Sequence, residues 1–350
     1  MKTFSFFLFL IVFSSACAQS PQASTESQLA KAMAEGAYPG IDAILVRHCD
    51  TLVVEEYYND FRQKDRHDMR SSFKSITSLL TGIAIDEGLL SLDDDLAKFF
   101  PELKGQPKGK VQVRHLLEMR SGFDCEEFYD IGPDCESAMM ESDDWIAHCL
   151  NVPLYHPPGT NWSYNSHNPM LVGEIIARAS GMSIMEFAKT KLFLPLGITN
   201  YKWTISPQGR GMTAGSFYLR PIDMLKIAQL VAQEGMWEGQ QVVSKNWINT
   251  STNCTIDIDF SFTRYSRMAG ARYESARYGF YWYREKIASS DFDTEVLFAS
   301  GNGGQYMMLL SEYNAQVVFT GSNYGNWRGK LPFENLNRYV LPILESQACN

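Results

Sequence analysis

Long apolar segments are absent from almost the whole of this 350-residue sequence. The longest one, Phe4–Phe13, falls well short of the roughly 18 apolar residues that a bilayer-spanning helix needs. It follows Lys2 and precedes small residues up to Ala18, which is the arrangement of a secretory signal. We therefore expect residues 1–18 to be a cleaved signal peptide and the mature protein to be secreted or periplasmic. The alternative is an outer-membrane lipoprotein with its lipid on Cys17.

Positive charge is also scarce, with 31 Lys and Arg against 40 Asp and Glu and a formal net charge of −9. A chain with this balance is repelled by polyanions, so nucleic acid is not an expected partner. Only six histidines are present, and neither HExxH nor paired CxxC occurs, so we expect no metal site and no cofactor. Repeats are absent as well, and the 45% hydrophobic content is typical of a globular protein.

Cysteine is sparse, with seven residues of which Cys17 lies in the expected signal peptide. The remaining even number permits several disulfides in an exported chain. Only Cys125 and Cys135 are close enough in sequence to suggest a pairing, because Gly132-Pro133 lets the loop between them fold back. For the other four cysteines the sequence allows either disulfides or buried free thiols: Cys49, Cys149, Cys254 and Cys349.

Segments typical of β-strands lie at both ends of the chain, and helical patterns lie between them. The expected strands are Ala43–Arg47, Leu52–Tyr58, Tyr278–Tyr283, Glu295–Ala299, Gln305–Leu310 and Gln316–Thr320. Hairpins at both ends favour one antiparallel sheet built from both termini, with a helical part inserted. The expected division is 19–85 with 266–350 for the α/β domain and 86–265 for the mainly helical domain.

The only Ser-x-x-Lys sequence in the chain begins at Ser71, at the start of a predicted helix. Positions three apart share one face of a helix, so the Ser71 hydroxyl and the Lys74 amine can form a hydrogen bond. A desolvated, uncharged lysine can accept the serine proton, and a helix N-terminus can stabilise an oxyanion. We therefore expect a nucleophilic Ser71 and an uncharged Lys74 as its base. The alternative is a capping serine beside a surface lysine.

Two later segments can complement this pair. A turn rich in Pro and Gly precedes Tyr164-Asn165-Ser166, and a phenol beside a lysine can relay protons. The alternative for Tyr164 is a tyrosine of the core. Ala299–Gln305 is rich in glycine, which lets a substrate approach the backbone and a backbone N–H complete an oxyanion hole. A strand bulge is the alternative for this segment.

Together these segments resemble the serine β-lactamase-related hydrolases of the class C type, which include DD-peptidases, family VIII esterases and 6-aminohexanoate-dimer hydrolases. The resemblance extends over almost the whole mature chain. The segments that carry it are Met69–Ser75, Asp86–Gly88, His115–Leu117, Arg120–Gly122, Pro158-Gly159, Tyr164, Pro221, Asp223, Tyr278–Phe280, Trp282 and Gly303–Gln305.

This resemblance implies an α+β fold, in which an α-β-α sandwich surrounds an antiparallel sheet and a helical domain is inserted. It implies Ser71 as the acylated nucleophile, Lys74 as its base and Tyr164 as the second proton carrier. It also implies an oxyanion hole formed by the backbone N–H groups of Ser71 and Asn302. The expected substrate contacts are Ser166, Ser300, Gly301, Gly303, Trp162 and Trp282, with core packing as the alternative for both tryptophans.

Two positions depart from the family's pattern. Ala299 stands where typical β-lactamases and DD-peptidases have a cationic Lys or His that binds the substrate carboxylate, a contact worth about 1.5–3 kcal/mol. Ser166 replaces the family's Asn. Both changes point away from efficient β-lactam or peptidoglycan turnover and favour a hydrolase of carboxylic esters or small amides that works through an acyl-enzyme. The expected partner is a small-molecule ester, amide or peptide-like substrate. The alternatives are a DD-peptidase or class C-type β-lactamase, and a non-catalytic binding module on the same scaffold.

Overall fold

A computed structural model describes residues 21–128, 134–266, 268, 270–347 and 349. The expected signal peptide at 1–18 and the Gly132-Pro133 turn lie outside these residues. The helices are α1 (Pro21–Ala34), α2 (Phe73–Asp86), α3 (Leu96–Phe99), α4 (Val113–Leu117), α5 (Cys135–Glu141), α6 (Trp145–Asn151), α7 (His167–Ser180), α8 (Ile184–Ala188), α9 (Pro221–Ala232), α10 (Lys245–Thr252), α11 (Leu331–Asn335) and α12 (Leu341–Ser346). Shorter or wider helical turns are Arg70–Ser72, Pro101–Leu103, Pro107–Lys110, Lys189–Phe193, Thr263–Tyr265, Ser311–Tyr313, Trp327–Lys330 and Leu336–Val340.

One antiparallel sheet joins the two ends of the chain, as the hairpins predict. The strands are β1 (Ile41–His48), β2 (Thr51–Tyr57), β3 (His67–Asp68), β4 (Tyr201–Trp203), β5 (Phe217–Leu219), β6 (Met236–Trp237), β7 (Gln240–Gln241), β8 (Ile256–Asp257), β9 (Arg277–Tyr278), β10 (Tyr283–Ala288), β11 (Asp293–Gly301), β12 (Gln305–Leu310) and β13 (Ala315–Gly321). Within the described residues the large sheet has the order β2-β1-β13-β12-β11-β10-β9-β8. Strand β1 pairs with β2 on one side and with β13 on the other, so residues near both ends lie side by side.

Helices cover the centre of this sheet. Every residue of β12 and β13 is buried, which requires protein on both faces because successive side chains of a strand point to opposite sides. Helix α9 contacts β1, β12 and β13. Helix α2 carries apolar residues at helical spacing, is buried from Phe73 to Ala84, and contacts both β11 and α7. The nucleophile segment is therefore held between the sheet and the helical part.

Two details differ from the expected pattern. Strand β8, at Ile256–Asp257, belongs to the large sheet although it lies in the segment expected to be helical. The expected strand Tyr278–Tyr283 is two strands, because Tyr281 has a φ of 65° and interrupts the extended backbone. The division into two domains stays a prediction.

Two disulfides are present, one of them expected. Cys125 is joined to Cys135, and Cys49 to Cys349 across 300 residues of sequence. Cys149 and Cys254 are buried free thiols. In the part of the chain that the structure describes, no helix has both the length and the apolar character that crossing a membrane requires.

Candidate active site

Ser71 lies in a 3-10 turn, Arg70–Ser72, directly before α2. The turn is entered through Arg70 with a φ of 49°, a conformation that costs a non-glycine residue energy and that packing must maintain. The hydroxyl of the neighbouring Ser72 donates to the Met69 carbonyl at 2.7 Å and closes the turn. Lys74, in the first turn of α2, donates to the Ser71 Oγ at 3.0 Å. The expected pairing of these two side chains is therefore present.

Oxygen atoms surround the Lys74 ammonium in a site that is 2% exposed. Besides Ser71, its Nζ donates to the Ala214 carbonyl at 2.6 Å and to the Ser166 Oγ at 3.5 Å. The ring centroid of Tyr164 lies 4.9 Å from the same nitrogen. Residues from three parts of the chain, at 71–74, 164–166 and 214, thus converge on one amine.

The charge of Lys74 differs from expectation. Burial by itself lowers the pKa of Lys74, but electrostatic interactions with Tyr164, Glu136 and Glu127 outweigh it, and the net pKa is raised. The resting protein therefore holds an ammonium, and the expectation of an uncharged Lys74 is wrong for this state. Tyr164 makes the largest contribution that raises this pKa, and the two glutamates, which no sequence motif includes, add to it.

Tyr164 is 8% exposed, and aromatic side chains pack around its ring. Its ring centroid lies 5.6 Å from that of Phe128 and 6.2 Å from that of Trp162. Its electrostatic interaction with Lys74 raises the pKa of that amine. The phenol thus lies beside the Ser71–Lys74 pair, where it can exchange protons.

The glycine-rich segment lies against the nucleophile turn, where β11 ends. A Cβ added at Gly301 would lie 2.3 Å from the Met69 carbonyl oxygen and 3.1 Å from the Ser72 nitrogen. Only glycine allows this approach. It places the end of β11 against the turn that carries Ser71. The oxyanion hole formed by the N–H groups of Ser71 and Asn302 stays a prediction. The Asn302 side chain accepts a hydrogen bond from the Gly325 N–H at 2.9 Å.

An open cleft of about 460 Å³ lies over these groups, a volume within the range of small-molecule sites. Of the expected site residues it is lined by Ser71, Tyr164, Ser300 and Asn302. The rest of its wall consists of Glu127, Phe128, Glu136, Phe260, Phe262, Tyr283, Gly325, Asn326, Trp327 and Lys330. The cleft is therefore aromatic, with charged groups of both signs.

Several expected substrate contacts need correction. Trp282 is fully buried, and its ring belongs to the core. Trp162 packs on Phe128 and Tyr278, with ring centroids 5.3 and 5.5 Å away, and does not line the cleft. Ser166 is buried behind Lys74. Gly301 lies against the nucleophile turn, whereas a Cβ at Gly303 would meet the side chains of Tyr324 and Gln305. Neither glycine lines the cleft wall.

Three charged cleft residues escaped the sequence reasoning: Glu127, Glu136 and Lys330. Burial raises the pKa of the Glu127 carboxyl to about 7, although Lys74 and the Ser166 hydrogen bond act in the opposite direction. Burial lowers the pKa of Lys330 to about 8, and its Nζ lies 4.5 Å from the Phe262 ring centroid. For the two glutamates, the one signal in the sequence is that each lies within two residues of a cysteine of the expected Cys125–Cys135 disulfide.

Two groups of side chains have ligand atoms close enough to share a metal ion, His48 with Cys49 and Cys349, and His167 with Cys125 and Cys135. In each group the two sulfurs are joined as a disulfide. A disulfide offers no thiolate, which is the form of cysteine that binds metals. Both groups are therefore disulfides with an adjacent histidine.

Residues 26–330 match the sequence pattern of the β-lactamase family. The 6-aminohexanoate-dimer hydrolase of Paenarthrobacter ureafaciens is 25% identical over 60% of this chain and 56% of its own length. The lovastatin esterase of Penicillium rubens is 28% identical over 38% of each chain. The chain thus spans about half the length of the first relative and less of the second.

Solved structures agree on the fold. The octameric penicillin-binding protein homologue of Pyrococcus abyssi superposes with a TM-score of 0.69, at 21% identity over 93% of this chain and 78% of that one. The D-alanine carboxypeptidase of Burkholderia cenocepacia gives a TM-score of 0.63, at 16% identity over 93% of this chain and 99% of that one. At these identities the likeness establishes a β-lactamase/transpeptidase-like fold, and with the match over residues 26–330 it places this chain in the β-lactamase family.

Proposed function

We propose that the protein is a serine hydrolase that cleaves small carboxylic esters or amides through an acyl-enzyme on Ser71. The observation that carries this proposal is the 3.0 Å contact between the Ser71 Oγ and the Lys74 Nζ at the floor of an open cleft, with the Tyr164 ring beside it. A hydroxyl, an amine and a phenol in contact are the groups that nucleophilic acyl transfer needs.

The reaction has two steps. The Ser71 Oγ attacks the substrate carbonyl while its proton passes to the Lys74 and Tyr164 pair, and the oxyanion is stabilised by the N–H groups of Ser71 and Asn302. Each such donor contributes on the order of 10²–10³ in rate. Tyr164 or Lys74 then protonates the leaving group, and water releases the acyl group by the reverse proton path.

An ester or amide substrate is favoured over a β-lactam or a D-alanyl peptide by the third motif. Ala299 is fully buried and offers no cation where such a substrate's carboxylate would bind. The named relatives include an esterase and a 6-aminohexanoate-dimer hydrolase, which support this choice, and also a penicillin-binding protein, which supports the alternative.

The test is hydrolysis of p-nitrophenyl acetate and longer acyl esters by the purified protein and by Ser71→Ala. We expect Ser71→Ala to lower kcat/KM by more than about 10³-fold, because the nucleophile is lost. Ser180→Ala, at the end of α7, is the control and keeps full activity. Full activity of Ser71→Ala would refute the assignment.

Two further reagents separate the alternatives. Acylation by a fluorescent penicillin, together with turnover of a chromogenic cephalosporin, would favour a DD-peptidase or β-lactamase over an esterase. Failure of a fluorophosphonate probe to label folded protein would favour a non-catalytic binding module.

We also propose that the protein works outside the cytoplasm. The Cys49–Cys349 and Cys125–Cys135 disulfides support this, because disulfides persist in oxidising compartments. Fractionation of the native host tests it, and recovery of the protein in the cytoplasm with reduced cysteines would contradict it.

A further inference from the structure

A short loop, Cys125–Phe128, is fastened along the segment that carries Tyr164. The Ser163 hydroxyl donates to the Cys125 carbonyl at 2.7 Å and to the Glu126 carboxylate at 3.0 Å. The Glu127 N–H donates to the Tyr164 carbonyl at 2.8 Å. These contacts fix the Glu127 backbone at the cleft wall, so its carboxylate has a defined place beside the catalytic groups.

The Glu127 carboxylate ends a chain of hydrogen bonds that begins at the nucleophile. The Ser166 Oγ donates to the Glu127 Oε2 at 2.8 Å. Ser166 in turn receives a hydrogen bond from the Lys74 Nζ at 3.5 Å, and Lys74 donates to Ser71 at 3.0 Å. The order Ser71, Lys74, Ser166, Glu127 is therefore a continuous path for a proton.

Such a path answers a difficulty that the charge of Lys74 creates. An ammonium has no lone pair, so it cannot take the Ser71 proton until it has released one of its own. Its other acceptor, the Ala214 carbonyl, cannot be protonated at ordinary pH. Ser166, its remaining acceptor, leads to a carboxylate one hydroxyl away.

We propose that Glu127 is a positioning residue that takes a proton from Lys74 through Ser166, and so turns Lys74 into the base that activates Ser71. This inference rests on the proposed hydrolase function. The Ser166 hydroxyl proton moves to Glu127 Oε2, and a Lys74 proton moves to Ser166 Oγ. The freed Lys74 lone pair then takes the Ser71 proton as Oγ bonds to the substrate carbon, and the path runs in reverse when the leaving group is protonated.

The charged surroundings of Glu127 set the pH at which this path works. Lys74 of α2 lowers its pKa, whereas burial and Glu136 of α5 raise it, and the net pKa is about 7. The Cys149 thiol of α6 also faces it, and its own pKa is raised, so it stays uncharged. Glu127 is thus poised to exchange a proton near neutral pH.

The experiment is the pH profile of kcat/KM for ester hydrolysis by the full mature chain. In the wild type we expect activity to rise with pH through about 7, because a protonated Glu127 cannot accept the Lys74 proton. Glu127→Gln has the same shape but accepts no proton. We expect it to lose about tenfold or more at pH 7 and to recover at alkaline pH, where Lys74 deprotonates directly.

Ser166→Ala is the second variant. It breaks the path, and the loss of the Ser166 hydrogen bond also raises the Glu127 pKa, which that bond lowers in the wild type. We expect the same displacement of the acid limb towards alkaline pH. Glu127→Asp retains a carboxylate and keeps part of the limb near neutral pH. Glu136→Gln is the matched control, because Glu136 lines the same cleft outside the path. For this variant we expect the acid limb of the pH profile to stay near pH 7 or to move slightly lower, because the Glu136 charge that raises the Glu127 pKa is gone.

Two results would overturn the inference. If Glu127→Gln lowers kcat/KM equally at every pH and leaves the acid limb of the pH profile in place, Glu127 only holds the Cys125–Phe128 loop. A limb displaced towards acid pH would mean that Glu127 merely raises the Lys74 pKa. A wild type that cleaves no ester and resists the fluorophosphonate probe would instead refute the hydrolase function itself.

Discussion

The Lys74 ammonium is held in place by three oxygen acceptors, and this makes its position sensitive to the shape of the cation. Arginine is always protonated, so it can keep the charge but never act as a base. We expect Lys74→Arg to lower kcat/KM by about 10²-fold or more at every pH. Ester hydrolysis from pH 6 to 10 measures this, with a thermal melt to verify folding. Activity close to that of the wild type would show that a cation alone suffices.

Lys330 is expected to destabilise the folded protein to an extent that depends on pH. Its pKa in the folded protein is lowered to about 8 from the usual 10.5, because burial disfavours its charge. Between these two values the unfolded chain binds more protons, so stability rises with pH in this window and the penalty is complete below it. We expect Lys330→Met to be more stable than the wild type at pH 7 and to lose that advantage as the pH approaches 10.5. Urea unfolding at both pH values checks this, and a constant difference would contradict it.

Single residues of the site differ in how far the sequence reveals them. Ser71 and Lys74 are three positions apart, so their pairing follows from local geometry. Glu127 and Lys330 belong to no motif, and they reach the cleft only through packing between distant segments. Ser166, for example, lies 39 residues from Glu127. Such contacts depend on the whole fold, and composition or spacing does not encode them.

At the level of elements, the end of β11 and the nucleophile turn depend on each other. A methyl group at position 301 would overlap the Met69 carbonyl, and backbone cannot move aside as a flexible side chain can. We expect Gly301→Ala to separate the two backbones, at a cost of about 1–3 kcal/mol in stability and more than tenfold in kcat.

Ser300→Ala is the control for this prediction. It changes the neighbouring residue, which lines the cleft, without adding bulk against Met69. Thermal unfolding and the ester assay on both variants are the measurements. If Gly301→Ala keeps the wild-type kcat, the strand does not need this close approach.

Elements with strong periodicity could be located from the sequence. The hairpins β1–β2 and β12–β13 lie where the pattern predicts them, and helix α2 begins just after Ser71 as expected. Short elements such as β8 could not be, because two residues carry no period and form a strand only by pairing with β9. Trp282 shows the same limit, since its aromatic character fits a cleft and a core equally well.

Over the whole molecule, two buried histidines make stability depend on acid. His67 is 3% exposed and His167 is fully buried, and burial lowers the pKa of each to about 4. In the unfolded chain each of these histidines has a pKa near 6.5. Between pH 6.5 and 4 the unfolded chain therefore binds more protons than the folded protein, and the free energy of unfolding falls as the pH drops. The loss is on the order of 2–3 kcal/mol for each histidine.

His167→Asn isolates this effect, because buried carboxyls with a raised pKa, such as Asp42 and Glu285, act in the opposite direction and stay the same in both proteins. We expect the free energy of unfolding of the variant to fall less than that of the wild type between pH 6.5 and 4. Urea titrations at several pH values give the difference. Parallel curves for the two proteins would contradict the prediction.

The Cys49–Cys349 bond closes nearly the entire polypeptide into a covalent ring, since 300 residues separate its two ends. A ring of this size destabilises the unfolded chain by about 6 kcal/mol in the simple entropy description. It also means that one proteolytic cut anywhere within the ring detaches nothing. Nicked molecules would migrate with intact ones on a non-reducing gel, and would separate into fragments only after a thiol reagent is added.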